Sequence, residues 1–89
     1  MKLSAVSFQV DTWIPNLKNQ KGATAIGQGD NKGGFDIEYD EEHRFVRIEA
    51  LKPNDERQVP VCIPMENVAS FRIVGDANAK PNPAVLKKA

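Results

Sequence analysis

The sequence of 89 residues predicts an all-β or β-rich α+β protein, built from a single small curled antiparallel sheet of about five strands. Two observations predict this class. Apolar and polar residues alternate from Phe35 to Asp40 and again in later runs, and a half-buried strand requires this period because successive side chains point to opposite faces. Short turn signals separate the runs, so neighbouring strands are expected to pair antiparallel.

The first predicted strand covers residues 3–10, with Val6, Phe8 and Val10 on one face. Pro15 closes this segment because proline has no N–H for the hydrogen-bond ladder. Residues 18–34 hold five of the six glycines but few large apolar side chains. The sequence therefore predicts a long glycine-rich loop there, either functional or disordered.

A hairpin is predicted next, with strands at residues 35–40 and 44–51 joined by a short acidic turn. Its return strand places Val46 and Ile48 on one face. Phe45 and Arg47 lie on the opposite face, beside each other.

The second half of the predicted sheet is shorter and contains proline. Residues 57–63 form a strand whose Pro60 restricts it to an edge or a bulge. Residues 64–67 are typical of one helical turn, and residues 68–74 form the last strand, with Ala69, Phe71 and Ile73 on one side. We expect residues 1–74 to form one β-rich domain and residues 75–89 to form a flexible C-terminal tail.

The amino-acid composition indicates the cellular compartment of the protein and limits the partners that it can bind. The net charge is zero, which argues against strong non-specific binding to duplex DNA. Cys62 is the only cysteine, so no intrachain disulfide can form, and we expect a cytoplasmic protein, in the host cytoplasm if it is viral. No apolar run approaches the roughly 20 residues of a membrane span, so no membrane association is expected.

The sequence contains no catalytic or metal-binding constellation. His43 and Cys62 are the only residues of their types, and the predicted fold gives no reason to bring them together. A catalytic nucleophile needs a base within hydrogen-bond reach. The acidic run of residues 40–42 lacks the alternating ligands and central glycine of a calcium loop, and the glycines lack the spacing of a nucleotide loop. We therefore expect a protein that is not an enzyme and binds no cofactor.

The glycine-rich loop is the first candidate binding device. It carries Lys18, Lys21 and Lys32 and is flanked by Trp13 and Phe35. Lysines on such a loop can follow a phosphate chain, and aromatic rings can stack on unpaired bases, as in single-strand binding by small β folds. The alternative is an ordinary solvated loop.

The outward face of the hairpin is the second candidate. Phe45 lies beside Arg47, and this pair can hold a base through stacking and cation–π contacts. The alternative is a second packing face.

Residues 61–71 combine a strand ending in Ile63-Pro64, a one-turn linker and a strand beginning Asn67-Val68. In this pattern, over residues 35–74, and in size, the chain resembles the single-stranded DNA-binding transcription cofactors of N4-related bacteriophages. The resemblance implies single-stranded DNA binding and assistance to a phage RNA polymerase at opened promoters. It assigns no role to individual residues.

We predict a non-enzymatic single-stranded DNA-binding protein, a phage transcription or replication cofactor. The alternative is a small adaptor or inhibitor that binds a host or viral protein through an exposed strand edge or an apolar patch. Phe45, Leu51, Val68 and Val74 lie off the predicted core face. This surplus predicts a homo-oligomer, either a dimer or a dimer of dimers.

Overall fold

The computed structural model describes residues 1–14, 22–30, 33–51, 59–76 and 78–82. These residues form two antiparallel sheets, one with the strand order β3-β4-β5 and one with the order β2-β1-β6-β7. The all-β class is confirmed, whereas the prediction of a single sheet of about five strands is wrong. The elements in chain order are β1 (Leu3–Thr12), β2 (Ala23–Gly27), β3 (Phe35–Asp40), β4 (Phe45–Ala50), β5 (Val61–Pro64), a 3₁₀ helix (Met65–Asn67), β6 (Val68–Ile73) and β7 (Lys80–Pro81).

The three-stranded sheet follows the local sequence pattern closely. β3 and β4 form the predicted hairpin, with Phe35 opposite Ala50 and Asp40 opposite Phe45. Val46 and Ile48 are fully buried, as their alternation predicts. β5 pairs with β4 but begins only at Val61, directly after Pro60. Residues 52–58, which include the start of the predicted strand, lie outside the described residues.

The four-stranded sheet contains a strand that the sequence pattern did not predict. β2 lies inside the predicted glycine-rich loop and pairs antiparallel with β1, with Ile26 opposite Val6. Ile26 is the only large apolar residue in β2, so local alternation is too weak to predict the strand. Gly22 precedes it at a φ of +92°, where an added Cβ would lie 3.1 Å from the Thr12 carbonyl oxygen. Glycine is therefore required where the chain returns beside β1.

β-bulges decide which side chains of β1 and β6 enter the core. The register of β1 against β6 shifts between Ser7 and Phe8, where β6 has an extra residue. Because one extra residue reverses the alternation beyond it, Val68 faces inward and is 0% exposed. The prediction that Val68 lies off the core face, available to an interface, is wrong. The register of β1 against β2 also shifts, and Val10 is exposed while Thr12 is buried.

β1 connects the two sheets. It belongs to the four-stranded sheet, yet Lys2 also forms a β-bridge with Glu38 of β3, and the Tyr39 N–H donates to the Met1 carbonyl at 2.8 Å. The Tyr39 ring packs against Phe71 of β6, with centroids 5.9 Å apart. The core between the sheets holds Leu3, Val6, Phe8, Ile14, Ile26, Phe35, Ile37, Val46, Ile48, Ala50, Ile63, Met65 and Val68.

Asn82 attaches the segment after β6 to the sheet. Its side chain is 2% exposed, and Nδ2 donates to the Met65 carbonyl at 2.6 Å and to the Val68 carbonyl at 2.7 Å. Its backbone N–H donates to the Ala69 carbonyl at 3.2 Å. The sequence predicted a flexible tail from residue 75, whereas Lys80–Pro81 pair with β6. Residues 83–89 of that tail lie outside the described residues.

Replacing Asn82 with alanine tests this attachment. Asn82→Ala removes the donor from two buried carbonyl groups, and we expect the free energy of unfolding to fall by about 2–3 kcal/mol. Urea unfolding followed by circular dichroism measures the decrease. Asn78→Ala is the matched control, because Asn78 is exposed on the same segment. Equal midpoints for the two variants would contradict the role of Asn82.

Candidate binding surfaces

The outward face of the three-stranded sheet carries the predicted pair Phe45 and Arg47, but each has another partner. Arg47 Nη2 lies 3.0 Å from Glu49 Oε2 on the same strand. The Phe45 ring stacks on His43, with centroids 6.0 Å apart and planes at 21°. Both side chains are only partly buried, so the sequence placed them on the correct face. The Arg47 guanidinium is thus ion-paired with Glu49, and the Phe45 ring is stacked on His43.

This face is acidic. Asp36, Glu38 and Asp40 project from β3 beside Glu49 of β4, opposite a single arginine. Lys2 Nζ lies 2.7 Å from Asp36 Oδ1 and 3.3 Å from Glu38 Oε2, and the hydrogen bond with Asp36 raises the pKa of Lys2. Lys2 therefore neutralises part of the negative charge of this face. Binding of a nucleic acid by Phe45 and Arg47 on this face stays a prediction.

The hairpin turn is held by a contact between Asp40 and His43. His43 Nδ1 lies 2.9 Å from Asp40 Oδ2, and the His43 N–H donates to Asp40 Oδ1 at 3.0 Å. The side-chain hydrogen bond holds the pKa of the Asp40 carboxyl below its ordinary value. Arg44 follows with a φ of 60°. His43 therefore has a structural partner in the turn, and no described contact joins it to Cys62.

Trp13 lies at the end of β1 with 53% of its surface exposed, next to the buried Ile14. It is accessible to a ligand, as the sequence predicted for a stacking residue. Lys18, Lys21 and Lys32, the other members of the predicted loop site, lie outside the described residues. The loop site therefore stays a prediction.

Three of the described strand edges, those of β2, β5 and β7, are poor templates for another strand. At the β2 edge, the Gly27 N–H donates to Asp30 Oδ2 at 2.7 Å, and the Asp30 N–H donates to the Gly27 carbonyl at 3.2 Å. β5 lies between Pro60 and Pro64, and β7 is two residues long and contains Pro81. Short strands, turns and prolines are common protections of sheet edges. Partner binding by strand addition is therefore disfavoured at these edges.

The outer face of the four-stranded sheet has a cleft that sequence reasoning missed. Its volume is about 200 Å³. We call it the sheet cleft. Small side chains lie on three adjacent strands because Ser7 of β1 is paired with Ala25 of β2 and Ser70 of β6. The lining residues are Ala5, Val6, Ser7, Ala25, Ile26, Ser70, Phe71, Arg72 and Ala79.

The polar groups at the sheet cleft differ in whether they have a hydrogen-bond or ion-pair partner within the described chain. The Ser7 and Ser70 hydroxyls hydrogen bond to each other, and Ser7 Oγ also donates to the Ser70 carbonyl at 3.3 Å. Arg72 is exposed and forms no ion pair with a carboxylate of the described residues. The nearby Asp76 has a lowered pKa chiefly because the Asn78 N–H donates to it, and Lys80 Nζ lies 3.1 Å from its Oδ2. Within the described part of the chain, Arg72 is thus the cation at the rim that has no carboxylate within ion-pair distance, although its charge contributes to lowering the pKa of Asp76.

Sequence signals for the sheet cleft exist, but they are weak. Ala5 and Ser7, Ala25 and Gly27, and Ser70 place small residues at alternate positions of three strands. A single strand of small residues predicts nothing by itself. Only the pairing order β2-β1-β6 brings them side by side.

Other chemistry is not indicated in the described part of the chain. Its His, Cys, Asp and Glu residues form no group of three or more that could hold a metal ion. None of its helices is long and apolar enough to cross a membrane.

Leu51 and Val74 are exposed, and they remain candidates for the predicted self-association.

Comparison of the chain with known protein families, with curated proteins and with solved structures found no match. The resemblance to phage transcription cofactors therefore stays a prediction. What the protein binds must be inferred from its own surface.

Removing the His43 side chain tests the electrostatics of the hairpin turn. In His43→Ala, the pKa of Asp40 should rise part of the way to its ordinary value, since the largest cause of its lowering is removed. A carboxyl with a lowered folded pKa stabilises the fold above its unfolded pKa, and this contribution disappears as the pH falls through the folded pKa. The variant should therefore lose less stability than the wild type on acidification.

NMR titration followed through the side-chain carboxyl signals measures the pKa of Asp40 in the wild type and in His43→Ala. Asp76 is the internal control, because its pKa is lowered by Asn78 and Lys80 and should not change in the variant. An unchanged Asp40 pKa in His43→Ala would contradict the assignment of the shift to His43.

Proposed function

We propose that this protein is a non-enzymatic protein-binding module, a small adaptor or inhibitor that takes a segment of its partner into the sheet cleft. The observation that carries the proposal is the cleft itself, floored by small side chains of three paired strands. Small residues on the face of a sheet let a partner backbone approach closely. Concave surfaces with a few polar groups are the usual binding places of proteins.

The size of the sheet cleft favours a side chain over a small-molecule cofactor. Its volume of about 200 Å³ is below the roughly 300–1,000 Å³ of typical small-molecule pockets. One bulky apolar side chain fits such a space. The protein-binding function is therefore supported by volume as well as by shape.

Charge favours a protein partner over a polyanion on the described surfaces. The hairpin face carries a small excess of negative charge, which disfavours phosphates. Its four carboxylates, of Asp36, Glu38, Asp40 and Glu49, outnumber the cationic groups of Lys2, Arg47 and Met1 that pair with them. The sheet cleft offers Arg72, while the neighbouring Lys80 is paired with Asp76. Nucleic-acid binding normally requires a basic stripe along the path of the backbone.

Filling the sheet cleft tests the proposal. Random peptides displayed with internal and carboxyl-terminal presentation are selected on the wild-type protein, and each selected peptide is then measured against Ala25→Leu. Ala25 is exposed and lines the cleft, so leucine there occupies the floor with little effect on the core. We expect at least about tenfold weaker binding, because the leucine excludes roughly one apolar side chain of the peptide from burial.

Thr24→Leu is the matched control, since Thr24 is exposed on the same strand but does not line the cleft. Binding that falls equally in both variants, or in neither, would contradict the sheet cleft as the site. Failure to select any peptide would contradict the protein-binding function.

Single-stranded DNA binding is a second candidate, favoured by the exposure of Trp13. Its side chain is 53% exposed, and the chain continues from it toward Lys18 and Lys21. Lysines close in sequence to an exposed indole are a common device for binding single strands, in which the ring stacks on unpaired bases. If the protein binds single-stranded DNA, we expect it to act with an RNA polymerase at opened promoters.

Trp13 fluorescence measures this second candidate directly. Single-stranded oligonucleotide should quench the fluorescence of the indole. In the double variant Lys18→Ala, Lys21→Ala, the binding constant should depend less steeply on salt. The slope of its logarithm against the logarithm of the salt concentration should fall by about 0.7 for each phosphate that is no longer neutralised. Lys80→Ala is the control, because Lys80 is already paired with Asp76. No quenching at low salt would exclude Trp13 from a nucleic-acid site.

A further inference from the structure

We propose that the sheet cleft recognises the C-terminal residue of its partner, with a bulky apolar side chain in the cleft and the α-carboxylate on Arg72. This inference rests on the proposed protein-binding function and names the chemistry that the site selects. Arg72 lines the cleft, and no carboxylate of the described residues lies within ion-pair distance of it.

Arg72 lies directly beside the floor of the sheet cleft. Its cross-strand partner in the register of β1 and β6 is Ala5, which lines the cleft. Arg72 itself also lines the cleft, so a ligand there meets both an apolar floor and a cation. A ligand that carries an apolar group and a negative charge therefore matches the cleft.

A C-terminal residue meets this requirement within one amino acid, because its side chain and its α-carboxylate are attached to the same Cα. An acidic side chain on the same face of an extended segment is two residues away, roughly 7 Å along the strand. A C-terminal residue thus supplies both groups at one position of the bound segment, whereas an internal acid needs a second position. Arginine also matches a carboxylate with two parallel N–H donors.

Arg72 has no carboxylate of the described residues within ion-pair distance. Asp76 is the nearby carboxylate, and the charge of Arg72 contributes to lowering its pKa, but its hydrogen bonds come from the Asn78 N–H and from Lys80 Nζ at 3.1 Å. The Ser7 and Ser70 hydroxyls hydrogen bond to each other at the cleft floor. The charge that a ligand meets at the rim is therefore the guanidinium.

Three probes test the proposal by ¹H–¹⁵N NMR titration of the full chain. N-acetyl-phenylalanine has the side chain and the carboxylate, N-acetyl-phenylalaninamide lacks the carboxylate, and N-acetyl-Phe-Ala-Asp-amide carries an internal acid. We expect the first probe to shift the amide signals of Ala5, Ser7, Ala25 and Ser70. It should bind about three- to tenfold more tightly than either of the others.

Two variants locate the charge. Arg72→Gln should remove the difference between the acid and the amide, because the surface substitution leaves the apolar floor intact. Arg47→Gln is the matched control, because Arg47 lies on the three-stranded sheet and does not line the cleft, and it should preserve the difference. Overlay of the variant spectra on the wild-type spectrum establishes that both are folded.

The outcomes separate this inference from the proposed function. Equal binding of acid and amide, or a difference that survives in Arg72→Gln, overturns the carboxylate recognition while peptides selected on the cleft still support protein binding. Binding of the internal-acid probe as tight as that of the terminal acid overturns the choice of a C-terminal residue. Shifts confined to residues outside the sheet cleft overturn the site.

Discussion

β1 pairs with other strands along both of its edges, and this double pairing is the constraint on which the rest of the structure depends. On one edge it meets β6, and on the other it meets β2 and, at Lys2, the outer edge of β3. Leu3, Val6 and Phe8 of this strand are buried between the two sheets. A small chain buries a modest fraction of its surface, so one shared strand that supplies core residues to both sheets has a large effect on stability.

The bulges between β1 and its neighbours give the two faces of the four-stranded sheet different chemistry. They turn Val68 inward and leave Ser7, Ser70 and Arg72 on the outside. The inner face is thus filled by large apolar side chains, while the outer face has small ones. The sheet cleft is a consequence of this division, because paired small residues leave a depression between the larger groups at the rim.

The charges of the hairpin face and the protected edges of the strands limit the surfaces through which the protein can bind a partner. The described hairpin face is acidic, and its arginine and lysine are engaged by carboxylates. The edges of β2, β5 and β7 are limited by a turn or by prolines. These features discourage both a polyanion on the hairpin and an added strand. The outer face of the four-stranded sheet offers a cleft, with a cation at its rim that has no carboxylate of the described residues within ion-pair distance.

The sequence by itself determined the elements whose information is local. The β3–β4 hairpin, the burial of Val46 and Ile48, and the helical turn after Pro64 follow from alternation and proline chemistry within a few residues. The tertiary structure alone decided the pairing of β2, the inward turn of Val68, the attachment of Asn82 and the sheet cleft. Each of these depends on residues far apart in the chain and on single-residue shifts in register, which leave no periodic signal in any one segment.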